Sequence, residues 1–399
     1  MKNINRTTTN KGAPMILKKI LREMRRGLFR LASPLHPFAY RMLSRKSKVV
    51  LSDVDATKSI IKIACRGAEF IEGFCGCDDT LTNALFEAVW GKFIRHTESK
   101  ELQKLYNELV VNCDEVSRET ASVCLLHLRF LMECGFENCG LLNLLVRKFP
   151  HFHTGFPNFH ESQKRIWALS KAYESPYDLP SFFDGHGGRE HLATAFGFLE
   201  FPEEIRSRVI GKDIIDGGGY AGDSAMVFTE YEPAKVYTFE PNPDTIPKME
   251  ATIMKNAAVL SNRKERIQIV PLALGKQKGT LELHSSGEFD PGARTMYTNY
   301  GCGKIHNVDV ISIDEFSKTN SCNVGLIKLD VEGAEYDTIF GAKRTIIEHK
   351  PLLIISIYHT FKDFFEIRPL IESWGVDYKF EIRHLAPSVP MHDYVLLGW

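Results

Sequence analysis

Two periodicities divide this chain. Between residues 51 and 180, apolar positions recur at steps of three and four in segments such as Leu81–His96, Lys100–Val111 and Glu115–Cys134, which predicts a mostly α-helical domain. After residue 180, short apolar runs alternate with amphipathic ones. The apolar runs predict strands at Asp213–Asp216, Val236–Glu240, Ile267–Pro271, Gly325–Asp330, Leu352–Ile357, Tyr378–His384 and Tyr394–Trp399. Helices fit between most of them, at Asp223–Tyr231, Asp244–Ala257, Tyr336–His349 and Phe361–Trp374. Such alternation builds a doubly wound, Rossmann-like α/β sheet that binds ligands at the carboxyl ends of its strands. The last two strands are separated only by the turn-rich stretch Ala386–Pro390, too short for a crossover helix, so they are expected to pair as an antiparallel hairpin. Glycine follows the same division, with nine in residues 1–180 and twenty in 181–399, because alternating elements need many tight turns. The domains expected are therefore a helical one over 51–180 and an α/β one over 181–399.

The first fifty residues differ from both. They hold thirteen Lys and Arg against one acid, Glu23, so this tail carries +12 and the remainder −12 although the formal charge of the chain is zero. Residues 1–13 are polar and are expected to be disordered. Over residues 15–31, Ile16, Leu17, Ile20, Leu21, Met24, Leu28 and Leu31 form one stripe and basic residues fill the other side. That is a basic amphipathic helix, suited to an anionic membrane surface or to docking on the body of the protein. Aromatics are not interleaved with the basic residues, which argues against nucleic acid as a partner. No apolar run approaches the ~18 residues of a membrane span, and the beginning of the chain lacks the apolar core of a secretory signal. The nine cysteines include no C-x-x-C pair. Cys75 and Cys77 with His151 or His153 lack the paired spacing of a zinc site, so no metal is expected. Buried free thiols in a reducing compartment point to the cytoplasm, with peripheral attachment at the inner membrane face as an extension of the tail's character.

The candidate chemistry begins at Asp213-Ile-Ile-Asp-Gly-Gly-Gly-Tyr-Ala-Gly-Asp-Ser224, an apolar strand that ends on an acid and breaks into glycines before a helix. Gly217, Gly219 and Gly222 satisfy G-x-G-x-x-G, and Glu240 ends the next strand at about the twenty-residue spacing of a ribose-binding acid. These features describe a nucleoside-type pocket. They leave open a nicotinamide dinucleotide, for which no Tyr-x-x-x-Lys catalytic pair is evident, and a non-catalytic binding or scaffold subunit of a glycan-assembly complex.

The run Ile327-Lys-Leu-Asp-Val-Glu-Gly-Ala-Glu335, followed by Gly341-Ala342, carries a resemblance of residues 181–399, about 55% of the chain, to the FkbM family of S-adenosylmethionine-dependent methyltransferases. It is supported by Asp216–Gly222, Phe239-Glu-Pro-Asn242, Ala273-Leu-Gly275 and Asp309-Val-Ile-Ser-Ile-Asp-Glu-Phe316. It implies a class I methyltransferase sheet and S-adenosylmethionine as cofactor. Asp216 would orient the methionine end, directly or through water, with Gly217, Gly218, Gly219, Gly222 and Asp223 forming the loop and helix start around it. Glu240 and Pro241 would meet the ribose, and Ala273 and Leu274 would flank the adenine. Asp330 and Glu332 would face the reacting methyl group, either of them serving as base. His359, with an ordinary pKa suited to accept a proton near neutrality, is the other candidate base or acceptor-binding residue, its ring oriented by Asp363. Tyr358 and Arg294 fall on the acceptor side, with His186, Arg189, Arg383 and His384 as further candidates. The activity implied is O-methylation of a hydroxyl, on a sugar of a surface glycan or on a secondary metabolite.

Overall fold

A computed structural model describes residues 99–134, 155–180, 188–285, 304–387, 389 and 391–399. The amphipathic helix over 15–31, the helix over 81–96, Cys75, Cys77, His151, His153, and the loops carrying His186 and Arg294 lie outside the described residues.

The strands are β1 (Asp213–Gly217), β2 (Lys235–Phe239), β3 (Ile267–Val270), β4 (Ala273–Leu274), β5 (Gly279–Ser285), β6 (Lys304–Ile311), β7 (Val324–Leu329), β8 (Leu352–Ser356), β9 (Phe380–His384) and β10 (Tyr394–Gly398). Seven of them form one sheet in the order β3-β2-β1-β7-β8-β10-β9. Its pairings are parallel except at β10, which runs antiparallel to both β8 and β9. The expected α/β class and terminal hairpin are both present. The direction of winding reverses between β1 and β7, and this switch point is where an open α/β sheet leaves a crevice beyond its carboxyl edge.

Alternation along each strand supplies two cores, one per face. Ile215, Ile327, Leu329, Leu353 and Ile355 enter one, while Ile214, Leu326, Leu352 and Ile354 enter the other. Since both faces are covered, β7 and β8 are buried at every position, which is why they read as unbroken apolar runs.

Two of the described helices before residue 180 belong to the first of these cores. Leu109, Leu125 and Leu128, from Ser99–Leu109 and Glu115–Cys134, pack in the cluster that holds Ile215 and Leu353, so a shared core crosses the expected boundary near residue 180. Helices before residue 180 also close the sheet's edge. Ile382 N of β9 donates to Ser117 Oγ at 2.8 Å, and the side chain of Gln163, from the Pro157–Ala172 helix, donates to His384 O at 2.9 Å. Edge-strand groups that would otherwise recruit another chain are thereby taken up. Arg383 pairs with Asp114 at 2.8 Å and with Glu381, and His384 stacks between Phe159 and Tyr394. Both expected mouth residues are instead fastenings of this edge, on the far side of β10 from the switch point.

Two local departures have identifiable causes. The helix expected over Tyr336–His349 is two helices, Glu335–Phe340 and Lys343–His349. The chain turns at Gly341, where a Cβ would lie 2.3 Å from the carbonyl oxygen of Gly275, and the second helix is started by Asp314, whose carboxylate accepts from the amides of Arg344 and Thr345. The second departure is a small sheet, β4-β6-β5, between β3 and β7, with its own core of Ala273, Leu283, Val308 and Val310. Among the described residues, no helix is long and apolar enough to cross a membrane.

Candidate active site

The glycine loop leaves β1 and is fixed from beneath by protein atoms. Gly218 N and Gly219 N both donate to Phe239 O, at 3.1 and 2.9 Å, and Asp330 N donates to Gly217 O at 3.0 Å. Gly218 has φ +79°, and a Cβ there would stand 1.8 Å from the carbonyl oxygen of Asp330. Part of the need for glycine is therefore internal: the loop lies directly on the turn that follows β7. Gly218→Ala is expected to lower stability by about 1–3 kcal/mol through overpacking, with left-handed strain of about 1–2 kcal/mol added. Chemical denaturation with an unchanged midpoint would show that the two segments separate freely.

Asp216, expected to address a ligand, is fully buried behind this loop. Its Oδ2 accepts from Ser224 Oγ at 2.7 Å and Thr238 Oγ1 at 2.9 Å, and its Oδ1 lies 3.2 Å from Lys328 Nζ. Its partners are the protein's own. Asp223 opens the next helix and is also buried; burial, opposed by the Lys328 ammonium, pushes its pKa up to about 7.

Glu240 follows β2 beside the loop. Oε2 accepts from Tyr220 N at 3.1 Å and Oε1 from Asn242 N at 2.8 Å, which fixes the carboxylate while leaving each oxygen a further lone pair. Burial raises its pKa to about 7, against the lowering effect of those two amides. Pro241 is half-buried next to it. Ala273 and Leu274 are buried at β4, and Leu274 Cδ1 lies 3.0 Å from where a Cβ on Gly217 would stand, so they supply an apolar floor.

Across the switch point, the turn after β7 carries the acids. Glu332 and Gly333 have φ +57° and +99°. This left-handed turn is held by Glu335, whose fully buried carboxylate accepts from Val331 N and Gly333 N, both at 2.8 Å. Glu335 Oε1 also lies 2.9 Å from His359 Nδ1. His359 Nε2 lies 3.6 Å from both Asp330 Oδ1 and Glu332 Oε2. The ring is thus enclosed by three carboxylates. Burial lowers the His359 pKa, but Glu335 and Glu332 outweigh burial and hold it well above 6.5. The enclosing carboxylates therefore favour the protonated ring. Asp330 is the most open member of the cluster, its side chain 32% exposed, and accepts from Tyr358 Oη at 3.4 Å.

Asp363 does not orient the imidazole. Its Oδ2 accepts from Thr360 Oγ1 at 2.6 Å and its Oδ1 from Tyr336 N at 3.1 Å, so it fastens the start of the Phe361–Glu372 helix. Burial and then Glu335 raise its pKa to about 8. Glu335 takes the orienting role, and its place in the D-V-E-G-A-E run was the signal for it. Lys328 was also missed, although a lysine inside an unbroken apolar strand is itself a signal. So was a charged pair, His191 Nε2 to Asp393 Oδ1 at 2.9 Å, near enough to Asp330 and Asp223 for both to act on the His191 pKa. Burial lowers that pKa, and Asp393 more than reverses this, to about 9. Arg189 is turned away onto Tyr173 O.

Asp330, Glu335 and His359 are close enough together to offer ligand atoms to a cation. Glu335 is already committed to two amides and the imidazole, so the cluster is charge-compensated by its own histidine. The carboxyl edge around the glycine loop thus carries buried apolar residues at β4, a fixed carboxylate at the β2 tip and acids beyond β7. That donor set fits a nucleoside bearing a cationic substituent.

Residues 216–378 match the family model described as the Methyltransferase FkbM domain. Among solved structures, the chain is similar to Methyltransferase FkbM from Methylobacillus flagellatus KT, with 19% identity over 61% of this chain and 60% of that one, and a TM-score of 0.38. It is similar to Precorrin-6y C5,15-methyltransferase from Geobacter metallireducens GS-15, with 8% identity over 56% and 93% and a TM-score of 0.32. It is also similar to an O-methyltransferase from Bacillus cereus in complex with SAH, with 10% identity over 60% and 90% and a TM-score of 0.29. The chain spans 60% of the length of the first of these. No curated protein matches the sequence.

Proposed function

We propose that this protein, whose residues 216–378 match the Methyltransferase FkbM domain, binds S-adenosylmethionine at the β1–β7 switch point and methylates a hydroxyl oxygen. The acceptor in this reading is a sugar of a surface glycan or a secondary metabolite. The observation that carries it is the meeting, across the glycine loop, of the fixed Glu240 carboxylate with the acid–imidazole cluster of Asp330, Glu332 and His359.

When bound, the cofactor supplies an electrophilic methyl group on a sulfonium. Glu240 would accept hydrogen bonds from the two ribose hydroxyls, and Ala273 and Leu274 would lie against the adenine. Asp330, the most exposed of these acids, would accept the proton that the acceptor hydroxyl loses when its oxygen takes the methyl group and the sulfur departs as a neutral thioether. Tyr358 fixes one oxygen of Asp330, and the neighbouring imidazolium of His359 keeps the cluster from repelling its own charge.

Calorimetry with S-adenosylmethionine, S-adenosylhomocysteine and NAD in parallel tests the reading. Both adenosyl ligands are expected to bind and NAD is not; the reverse result would make the hollow a dinucleotide site. The Glu240 carboxylate must be ionised to accept both hydroxyls, and its pKa in the free protein is about 7. Affinity is therefore expected to rise with pH up to about 7 and level off above it, changing up to about tenfold per pH unit below. In the ligand-free protein the same shift works the other way on folding. The folded state holds a proton that the unfolded chain releases at 4.5, so this group's contribution to stability falls as pH rises from 4.5 to about 7. A flat affinity profile, or Glu240→Ala binding with full strength, would remove Glu240 from the ribose.

A further inference from the structure

Lys328 is the penultimate residue of β7, and its side chain is 7% exposed. The ammonium runs beneath the glycine loop, where it donates to Gly218 O at 2.9 Å and Gly217 O at 3.2 Å and lies 3.2 Å from Asp216 Oδ1. Burial works against its charge, but Asp216, Asp330 and Asp223 outweigh burial and raise its pKa. Asp216 in turn receives Ser224 from the helix after the loop and Thr238 from β2. One buried ion pair thus ties together β1, β2, β7, the loop and the helix it feeds.

We propose that Lys328 is a positioning residue for the adenosyl ligand: it draws the Gly217 and Gly218 carbonyls inward and neutralises Asp216, so the loop stands in its receiving shape before a ligand arrives. This rests on the cofactor reading above. Its physical basis is that a glycine-rich segment has more conformational freedom to lose than any other, and a ligand that must itself order the loop binds more weakly by that cost. The loop's amides at Gly218 and Gly219 are occupied by Phe239 O, and the amide of Tyr220 by Glu240. With its carbonyls at Gly217 and Gly218 occupied by Lys328, the segment is satisfied by protein groups. The arrangement also explains why an apolar strand admits a lysine, since a methionine of similar length would leave Asp216 as a buried charge without its cation.

The test compares wild type, Lys328→Met and the double variant Asp216→Asn/Lys328→Met by thermal unfolding and by titration with S-adenosylhomocysteine. Lys328→Met is expected to lose stability and at least about tenfold in affinity, as removal of two hydrogen bonds from a charged donor would give. The double variant, with neither charge left, is expected to recover most of the unfolding midpoint and little of the affinity, because Gly218 O loses its lysine donor and Gly217 O keeps only the Asp330 amide. Recovery of affinity together with the midpoint would overturn the proposal, since Lys328 would then matter only for charge balance. Unchanged affinity in Lys328→Met would overturn it too. Hydrogen exchange of the ligand-free wild type decides the matter even if the variants fail to fold. Gly218 and Gly219 are expected to be protected already, and protection that appears only after ligand is added would sink the idea. Wild-type protein that takes up no adenosyl ligand in the same titration would instead remove the cofactor reading, and this inference with it.

Discussion

Asp330→Asn is expected to cut methyl transfer by about 10²–10⁴-fold, the range for losing a positioned proton acceptor, while S-adenosylhomocysteine binds nearly as before. The substitution keeps size and keeps an oxygen for Tyr358, so the packing around the β7 tip is retained. What it removes is the ionisable oxygen on the most open side of the cluster. His359 is less suited to this role, because the flanking carboxylates favour its protonated form, and Glu335 is fully buried and already committed to the turn. Transfer of labelled methyl from S-adenosylmethionine into extract of cells lacking this protein provides the rate, whichever molecule in the extract is the acceptor. A variant within tenfold of wild type would exclude Asp330 as the proton acceptor. A parallel loss of ligand affinity would mean that the residue serves binding instead.

Glu335→Gln is expected to cost the fold about 3–5 kcal/mol, because removing one partner of a buried pair strands the other. Three contacts are at stake: the amides of Val331 and Gly333, which hold Glu332 and Gly333 in left-handed conformations, and the His359 ring. A glutamine presents an NH₂ group where a second acceptor is needed, so at least one amide faces a donor. The pH dependence identifies the cause. His359 has a folded-state pKa well above 6.5, so its pairing contributes in full below 6.5 and is lost as pH rises through the folded value. The gap between wild type and variant is therefore expected to narrow at alkaline pH. Urea midpoints measured across pH would show this; a gap independent of pH would mean that the amides alone carry the effect.

The sheet was legible because both faces of β7 and β8 are covered, which leaves apolar runs with no alternation to confuse them. The terminal hairpin was legible because no helix fits between its strands. The carboxylate fixed beside the glycine loop, Glu240, was legible from its spacing after the glycines. What escaped depends on contacts that spacing does not encode. Asp363 lies four residues from His359 in sequence, yet only the fold shows that it is spent on Thr360 and Tyr336 N while the distant Glu335 meets the ring. The break at Gly341 comes from Gly275, and the edge role of Arg383 from Asp114; both partners are distant in sequence. The small β4-β6-β5 sheet was missed because its strands are short or mostly exposed along one face, and so present no sustained apolar run.

The placement of β10 between β8 and β9 has a consequence for synthesis. A ribosome that has delivered β9 has not yet delivered the strand that joins it to the sheet, so the nascent chain carries β8 with one open edge and β9 with no neighbour on its inner side. Unpaired edges of this kind recruit foreign strands. Until residues 394–398 clear the exit tunnel, β9 can lean on two helices made long before, through Ser117 to Ile382 and through Gln163 to His384. The segments that arrive early thus serve as an internal chaperone for the segment that arrives late.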